Sequence, residues 1–423
     1  MSLRWAFLGL SAVLLGMTAC DASESGSGPS GFERTDSSGV TILTNAQPER
    51  PLFLSEALSI GLVEGDPDYL FHQVRAIGLD DEGGTWIVDS NESVRHYDNA
   101  GSYSGAIGGR GEGPGEAEGY ADVWVGDTGI LVLGYPSTLQ LFGREGTFLD
   151  GRPARDGRRT IMPLGYGRNH WTFRLLTFPD EPGDLFRRRV SIARVSGPVS
   201  EMNPTGSFPG RLFRMNEWGG AGAGPYFLGD PSYGMDGKGR MFISDTLDYR
   251  IEVYDPDGAL AQVITREVEP VLFDPGWVSE IEEGIWATLR QDGLPSNAAE
   301  QVERMMAGAL PSEPPAHLPF IERVIVAKDG PFWVERADRH PRPAAAAVAH
   351  LFGWVRHAWP PEWTAPLVFD LFTAEGEYRG TVEIDPRFAP MAVTPDRVYG
   401  VRYDELGVET VVALALSQTR SVR

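Results

Sequence analysis

The chain has 423 residues, 59 Asp and Glu against 37 Lys and Arg for a net charge of −22, and a single cysteine. A chain this long buries a core without staples, and one cysteine excludes a disulfide framework and a cysteine-rich zinc site. The acidic balance gives no basic footprint, so nucleic acid is not expected as a partner.

Leu3 to Ala19 is apolar, with Arg4 as its positive start and an eleven-residue run from Trp5 to Leu15. That run is too short to span a bilayer of roughly 30 Å as a helix and reads as a secretion signal. Leu15-Gly16-Met17-Thr18-Ala19-Cys20 resembles a bacterial lipoprotein signal. The resemblance implies that residues 1–19 are removed, that Cys20 is lipidated, and that the protein partners a membrane through this lipid. It places the protein in the bacterial cell envelope, periplasmic or on the outer surface. Residues 20–37 include DASESGSGPSG, small and polar, and are expected to form a flexible tether.

Next come repeats. Gly83-Gly84-Thr85-Trp86-Ile87-Val88-Asp89, followed by Val94 to Gly101, aligns with Gly239-Arg240-Met241-Phe242-Ile243-Ser244-Asp245, followed by Ile251 to Gly258. Each is a hairpin: period-2 alternation marks the strands, and Asp-x-x-Gly supplies the turn out. The ending aromatic-x3-Gly recurs at Tyr97, Phe142, Tyr254 and Phe372. Degenerate units run from Ile161 to Val195 and from Met391 to Leu416. Six such units predict an all-β chain, a six-bladed β-propeller of four-stranded antiparallel blades over residues 38–416, with a tail at 417–423. Val40 to Leu43 is expected to complete the last blade and close the ring.

Gly239 to Gly258, GRMFISDTLDYRIEVYDPDG, looks like an NHL repeat. The loop Gly109-Arg110-Gly111-Glu112-Gly113-Pro114-Gly115-Glu116 resembles one found in bacterial six-bladed propeller lipoproteins, as does Pro319-Phe320-Ile321 ahead of its strand. This family resemblance implies architecture, and propellers host many activities.

Two insertions interrupt the units. Asp274-Pro275 is a helix start, and Trp277, Ile281, Ile285 and Leu289 form an apolar stripe, so a helical insertion is expected over about 274–310. A second insertion at about 339–366 carries Trp354, Trp359 and Trp363.

Chemistry is sparse. GGRGEGPG lacks the Gly-Lys-Ser/Thr ending of a phosphate loop and reads as an interblade connection. No H-x-x-x-H pair and no G-x-S-x-G elbow occur, so no metal ligands or catalytic residues are assigned. Asp80-Asp81-Glu82-Gly83 lacks calcium-loop spacing and reads as a solvated turn. The binding candidates lie at blade starts and rims: His72, Arg75, Arg110, Arg336, Trp354, Trp359 and Trp363. Arginine and tryptophan there suit an anionic sugar or a peptide. The expected function is a ligand- or protein-binding scaffold with a protein, peptide or glycan partner and no cofactor. The alternative is a propeller hydrolase, lactonase or lyase with calcium or another divalent metal in the axial channel.

Overall fold

A computed structural model describes residues 31–90, 92–156, 159–177, 186–196, 202, 204–215, 221–222, 229–245, 247–279, 283, 315–337 and 366–417. The signal, Cys20, most of the tether, most of both insertions and the tail from 418 lie outside the described residues.

Six sheets form a six-bladed β-propeller. Their innermost strands, Ala76–Leu79, Tyr120–Gly126, Arg159–Gly167, Tyr233–Met235, Ile321–Val326 and Phe388–Val393, touch in turn around a closed ring. Blades are numbered 1 to 6 in that order, and strands a to d outward from the axis. In an antiparallel meander every a–b turn lies on one face of the ring. Among the described residues the b–c turns and the links to the next blade lie on the other, called here the upper face.

Local chemistry produces each blade. At the aromatic that ends strand c, the ladder shifts register: Tyr97, Phe142, Tyr254 and Phe372 each follow the shift directly. The glycine four residues later takes φ between 81° and 91° at all four sites, a region closed to most side chains. In blade 1 the Asp98 carboxylate accepts from the N–H groups of Ala100 and Ser102, at 2.9 and 2.8 Å, and fixes that turn. Alternate strand residues then pack between blades. Each of the six junctions has its own apolar cluster among the described residues, such as Trp86, Val88 and Ile107 with Tyr120 and Val132 between blades 1 and 2.

The ring closes at a different strand from the one expected. Phe53–Ile60 is strand d of blade 6, antiparallel to Glu409–Ser417. Val40–Asn45 instead pairs in parallel with Leu260–Arg266 as an extra strand on blade 4. Its Leu43 is fully buried there, and Asn45 fixes the register. The Asn45 amide donates to the carbonyls of Thr265 and Gly376 and accepts from the N–H of Tyr378, tying blades 4 and 5. Between these strands the chain bonds to blade 5 through Arg50, Leu52 and Thr381. Residues 40–60 therefore strap the outer edges of blades 4, 5 and 6 in succession.

One smaller difference concerns a boundary. Phe32–Ser37, placed by composition in the tether, is a strand paired with Val40–Asn45 across Ser38-Gly39. Both turn residues have positive φ, the geometry of a tight hairpin. Where the helical insertion is expected to start, Asp274 Oδ1 accepts from Gly276 N–H at 2.8 Å, and Trp277 is buried against Phe273.

Candidate ligand-binding site

A cleft of about 320 Å³ opens on the upper face between blades 1 and 2, at the low end of volumes that hold small ligands. Arg75, Asp89, Ser90, Glu118, Tyr135 and Pro136 line it. Arg75 stands immediately before the innermost strand of blade 1, and its N–H extends that ladder to the carbonyl of Val88. Its Nη1 donates to the Tyr120 carbonyl at 3.1 Å, and the guanidinium lies 5.3 Å from the centroid of the Tyr135 ring. Tyr135 is 45% exposed, on the b–c turn of blade 2. The result is a cation held against an open aromatic face.

The cleft's floor is buried and charged. Asp89 is 1% exposed and accepts from Arg95 Nη2 at 2.6 Å and from the His72 N–H at 3.2 Å. Arg95 also donates to the carbonyls of Pro67, Asp68 and Leu70 and packs on the Phe71 ring. The link from blade 6 to blade 1 is thus wrapped around one guanidinium. This makes Asp89 structural, as its place in the repeat suggests, and the buried Arg95 guanidinium balances its charge beneath the floor.

Tyr120 forms the wall shared with the glycine loop. Its hydroxyl accepts from the Gly109 N–H at 3.0 Å and donates to the Gly115 carbonyl at 3.0 Å. Burial raises its pKa, with the Gly109 bond opposing and Glu116 adding to the shift. Within the loop, Glu116 Oε2 accepts from the Gly113 N–H, and Gln140 Nε2 donates to the Glu116 carbonyl. The loop's amides are used internally: Gly113 N–H bonds Glu116 Oε2, and the N–H groups of Gly111, Glu116 and Ala117 bond the carbonyls of Ala117, Gly113 and Gly109. An interblade connection requires this and a phosphate cradle does not.

Of the sequence candidates among the described residues, only Arg75 lines the cleft. His72 is exposed beside it, its carbonyl accepting from both the N–H and the hydroxyl of Ser90. Arg110 points outward and pairs with Glu92 at 3.2 Å, both well exposed. Arg336 is turned away from the rim: its side chain is 9% exposed, pairs with Glu49 and lies 4.0 Å from Asp370. That carboxylate, itself fully buried, also binds Arg266 at 2.6 Å, Tyr249 at 2.8 Å and Thr381 at 2.6 Å. Trp354, Trp359 and Trp363 lie outside the described residues. Sequence reading missed Ser90, Glu118, Tyr135 and Pro136. Aligning the b–c turns of blades 1 and 2 would have flagged Tyr135-Pro136, because an aromatic there has no place in a solvated turn.

The opposite face is laced by ion pairs. Lys328, on the a–b turn of blade 5, reaches Asp81 of blade 1 at 2.6 Å and Asp127 of blade 2 at 2.7 Å. The Lys328 hydrogen bond lowers the Asp127 pKa. Burial opposes the Lys328 charge, but the two aspartates outweigh it and raise its pKa. In the same turn as Asp81, Asp80 binds His96 and Glu82 binds Arg144. Among the described residues no three His, Cys, Asp or Glu side chains converge as metal ligands would.

No family model and no curated protein matches the chain. Solved structures resemble it at low identity. One is a Bacteroides fragilis protein described as exported, with 12% identity and TM-score 0.48 over 87% of this chain and 96% of that one. Another is virginiamycin B lyase from Staphylococcus aureus, at 9% and 0.39 over 86% and 100%. A third is the calcium-binding protein regucalcin from Agrobacterium tumefaciens, at 10% and 0.37 over 88% and 96%. These likenesses concern the fold alone.

Proposed function

We propose that the protein is a lipid-anchored binding module of the bacterial cell envelope that recognises an anionic ligand, a sugar acid or an acidic peptide, in the Arg75–Tyr135 cleft. The carrying observation is the guanidinium of Arg75 over the exposed Tyr135 ring. Among the described residues only Nη1 of that guanidinium makes a hydrogen bond, so Nε and Nη2 remain for a carboxylate. Tyr135 and Pro136 offer an apolar face for a sugar ring or side chain, and Ser90 and Glu118 offer polar partners at its edge. A metal-dependent hydrolase, lactonase or lyase would need converging ligands, and the described residues provide no such set. The NHL-like reading of blades 1 and 4 rests on their aligned glycine, aspartate and Asp-x-x-Gly positions.

Titration calorimetry with galacturonate and with a glutamate-rich peptide tests the site. Arg75→Ala should weaken binding of whichever ligand is taken by about tenfold or more, the scale of one lost charge-assisted bond. Unchanged affinity in that variant would remove the cleft from consideration. The anchor rests on Leu15 to Cys20. Cell fractionation should find the protein with membranes and Cys20→Ser released; a membrane-bound Cys20→Ser protein would refute lipidation.

A further inference from the structure

Blade 3 carries a charge opposite to that of the whole chain. Its residues 155–215 hold 11 arginines, no lysine and five acidic residues, a net charge of +6 within a chain of −22. Antiparallel folding gathers part of this charge on the upper face. The link into blade 3 is a short hairpin in which Arg155 pairs with Thr160 and Asp156 with Arg159. Arg155 and Arg159 are both exposed. Arg189, also exposed, sits near the start of Phe186–Val195, at the same end of the blade.

This hairpin abuts the ligand cleft. The N–H of Ala154 donates to the carbonyl of Ser137 at 2.8 Å, and Ser137 directly follows Pro136 of the cleft wall. A path therefore runs from Arg75 across Tyr135 and Pro136 to Arg155 and Arg159, over contiguous protein. We infer that the cleft holds one end of an acidic polysaccharide and that the arginine hairpin of blade 3 holds the sugar acids that follow. The inference deepens the cleft reading and rests on it.

A glycan fits this path better than an acidic peptide. Added peptide strands need unpaired backbone groups along their track. Here those groups are used: Glu118 N–H bonds the Tyr135 carbonyl, Tyr135 N–H bonds the Gly119 carbonyl, and Ser90 N–H bonds the His72 carbonyl. What the wall offers is an open ring, a proline face and side-chain polar groups, which suit the flat faces and hydroxyls of pyranoses. Regularly spaced carboxylates then meet cations at both ends of the track.

The test uses the chain from residue 20 with Cys20→Ser, titrated with galacturonic acid and its oligomers up to about six units, at low and high salt. Affinity should rise at least tenfold from monomer to the longest oligomer, and high salt should cut that rise. In Arg155→Glu/Arg159→Glu the rise should vanish while monomer affinity and thermal midpoint hold, since both side chains are exposed. A missing rise, or one that survives the double substitution, overturns the inference and leaves the cleft reading intact. Full binding in Arg75→Ala overturns both. Tighter binding of polyglutamate than of an oligogalacturonate of equal charge overturns the glycan assignment.

Discussion

The Glu409 carboxylate accepts a 2.7 Å hydrogen bond from the backbone N–H of Val74 across the seam between blades 6 and 1. The two residues lie 335 positions apart, and both are buried. Burial raises the Glu409 pKa, while the Val74 bond and nearby His72 oppose the rise. A carboxyl whose folded pKa lies above its unfolded value contributes stability below the unfolded pKa and loses it as pH rises through the folded pKa. Glu409→Gln keeps an acceptor for Val74 without the charge. Its stability relative to the parent should therefore grow as pH increases from about 4 to 7, measured by denaturant melts at each pH. Glu409→Ala orphans the Val74 N–H and should cost about 1–3 kcal/mol near pH 4, a cost that shrinks toward pH 7 as the parent loses the same carboxyl contribution. A flat difference between Gln variant and parent would show that the seam does not sense the charge.

Closure by Phe53–Ile60 separates two deletions that the sequence alone would have merged. A chain beginning at residue 46 loses the extra strands on blade 4 and the Asn45 bonds to Gly376 and Tyr378. It should melt at lower temperature yet still unfold as one cooperative body. A chain beginning at residue 61 loses strand d of blade 6 and exposes the edge of Glu409–Ser417. That chain should be protease-sensitive and prone to self-association, as an open sheet edge is. Equal behaviour of the two chains in melts and limited proteolysis would contradict this assignment of the closing strand.

The repeats were legible because their signals are local. An Asp-x-x-Gly turn is set by four residues and needs nothing distant, so Asp98 to Gly101 and its counterparts fold as read. Phe53–Ile60 was not legible, because its Leu54 and Leu58 are four apart and separated by Ser55, Glu56 and Ala57, a spacing that also suits a helix. Its strand character comes from Glu409–Ser417 at the far end of the chain. Arg75 could be found because it stands at a strand start, and Tyr135 escaped because its turn looked generic. Arg336 looked like a rim cation, yet its partners Glu49 and Asp370 belong to other segments. The basic blade was hidden by averaging: a net charge for the whole chain erases a blade of opposite sign.

The Asp370 cluster gives a sharper energetic prediction. Arg266 and Asp370 are both buried, and the Arg266 guanidinium lies 3.9 Å from the Tyr378 centroid. Burial first, and the Asp370 charge second, raise the Tyr249 pKa well above normal, so its hydroxyl stays neutral and donates. Removing one partner of such a pair strands a charge. Arg266→Met should destabilise by about 3–5 kcal/mol, and adding Asp370→Asn should recover part of that loss. A double variant as unstable as the sum of the single ones would mean the two groups do not act as a pair.

Tyr120 links stability to the ligand cleft. Its hydroxyl is the shared partner of Gly109 and Gly115, and the ring fills the junction of blades 1 and 2. Tyr120→Phe keeps the ring and removes the hydroxyl, leaving a part-buried N–H and a buried carbonyl without that bond. The expected cost is about 1–3 kcal/mol, concentrated in the glycine loop. Amide exchange should accelerate at Gly109 while Trp86 and Val88 in the adjacent core keep their protection. Arg75 bonds the Tyr120 backbone carbonyl rather than the hydroxyl, so the guanidinium stays in place and galacturonate affinity should change less than threefold. Exchange that accelerates throughout blades 1 and 2 would instead make the hydroxyl a support of the whole junction.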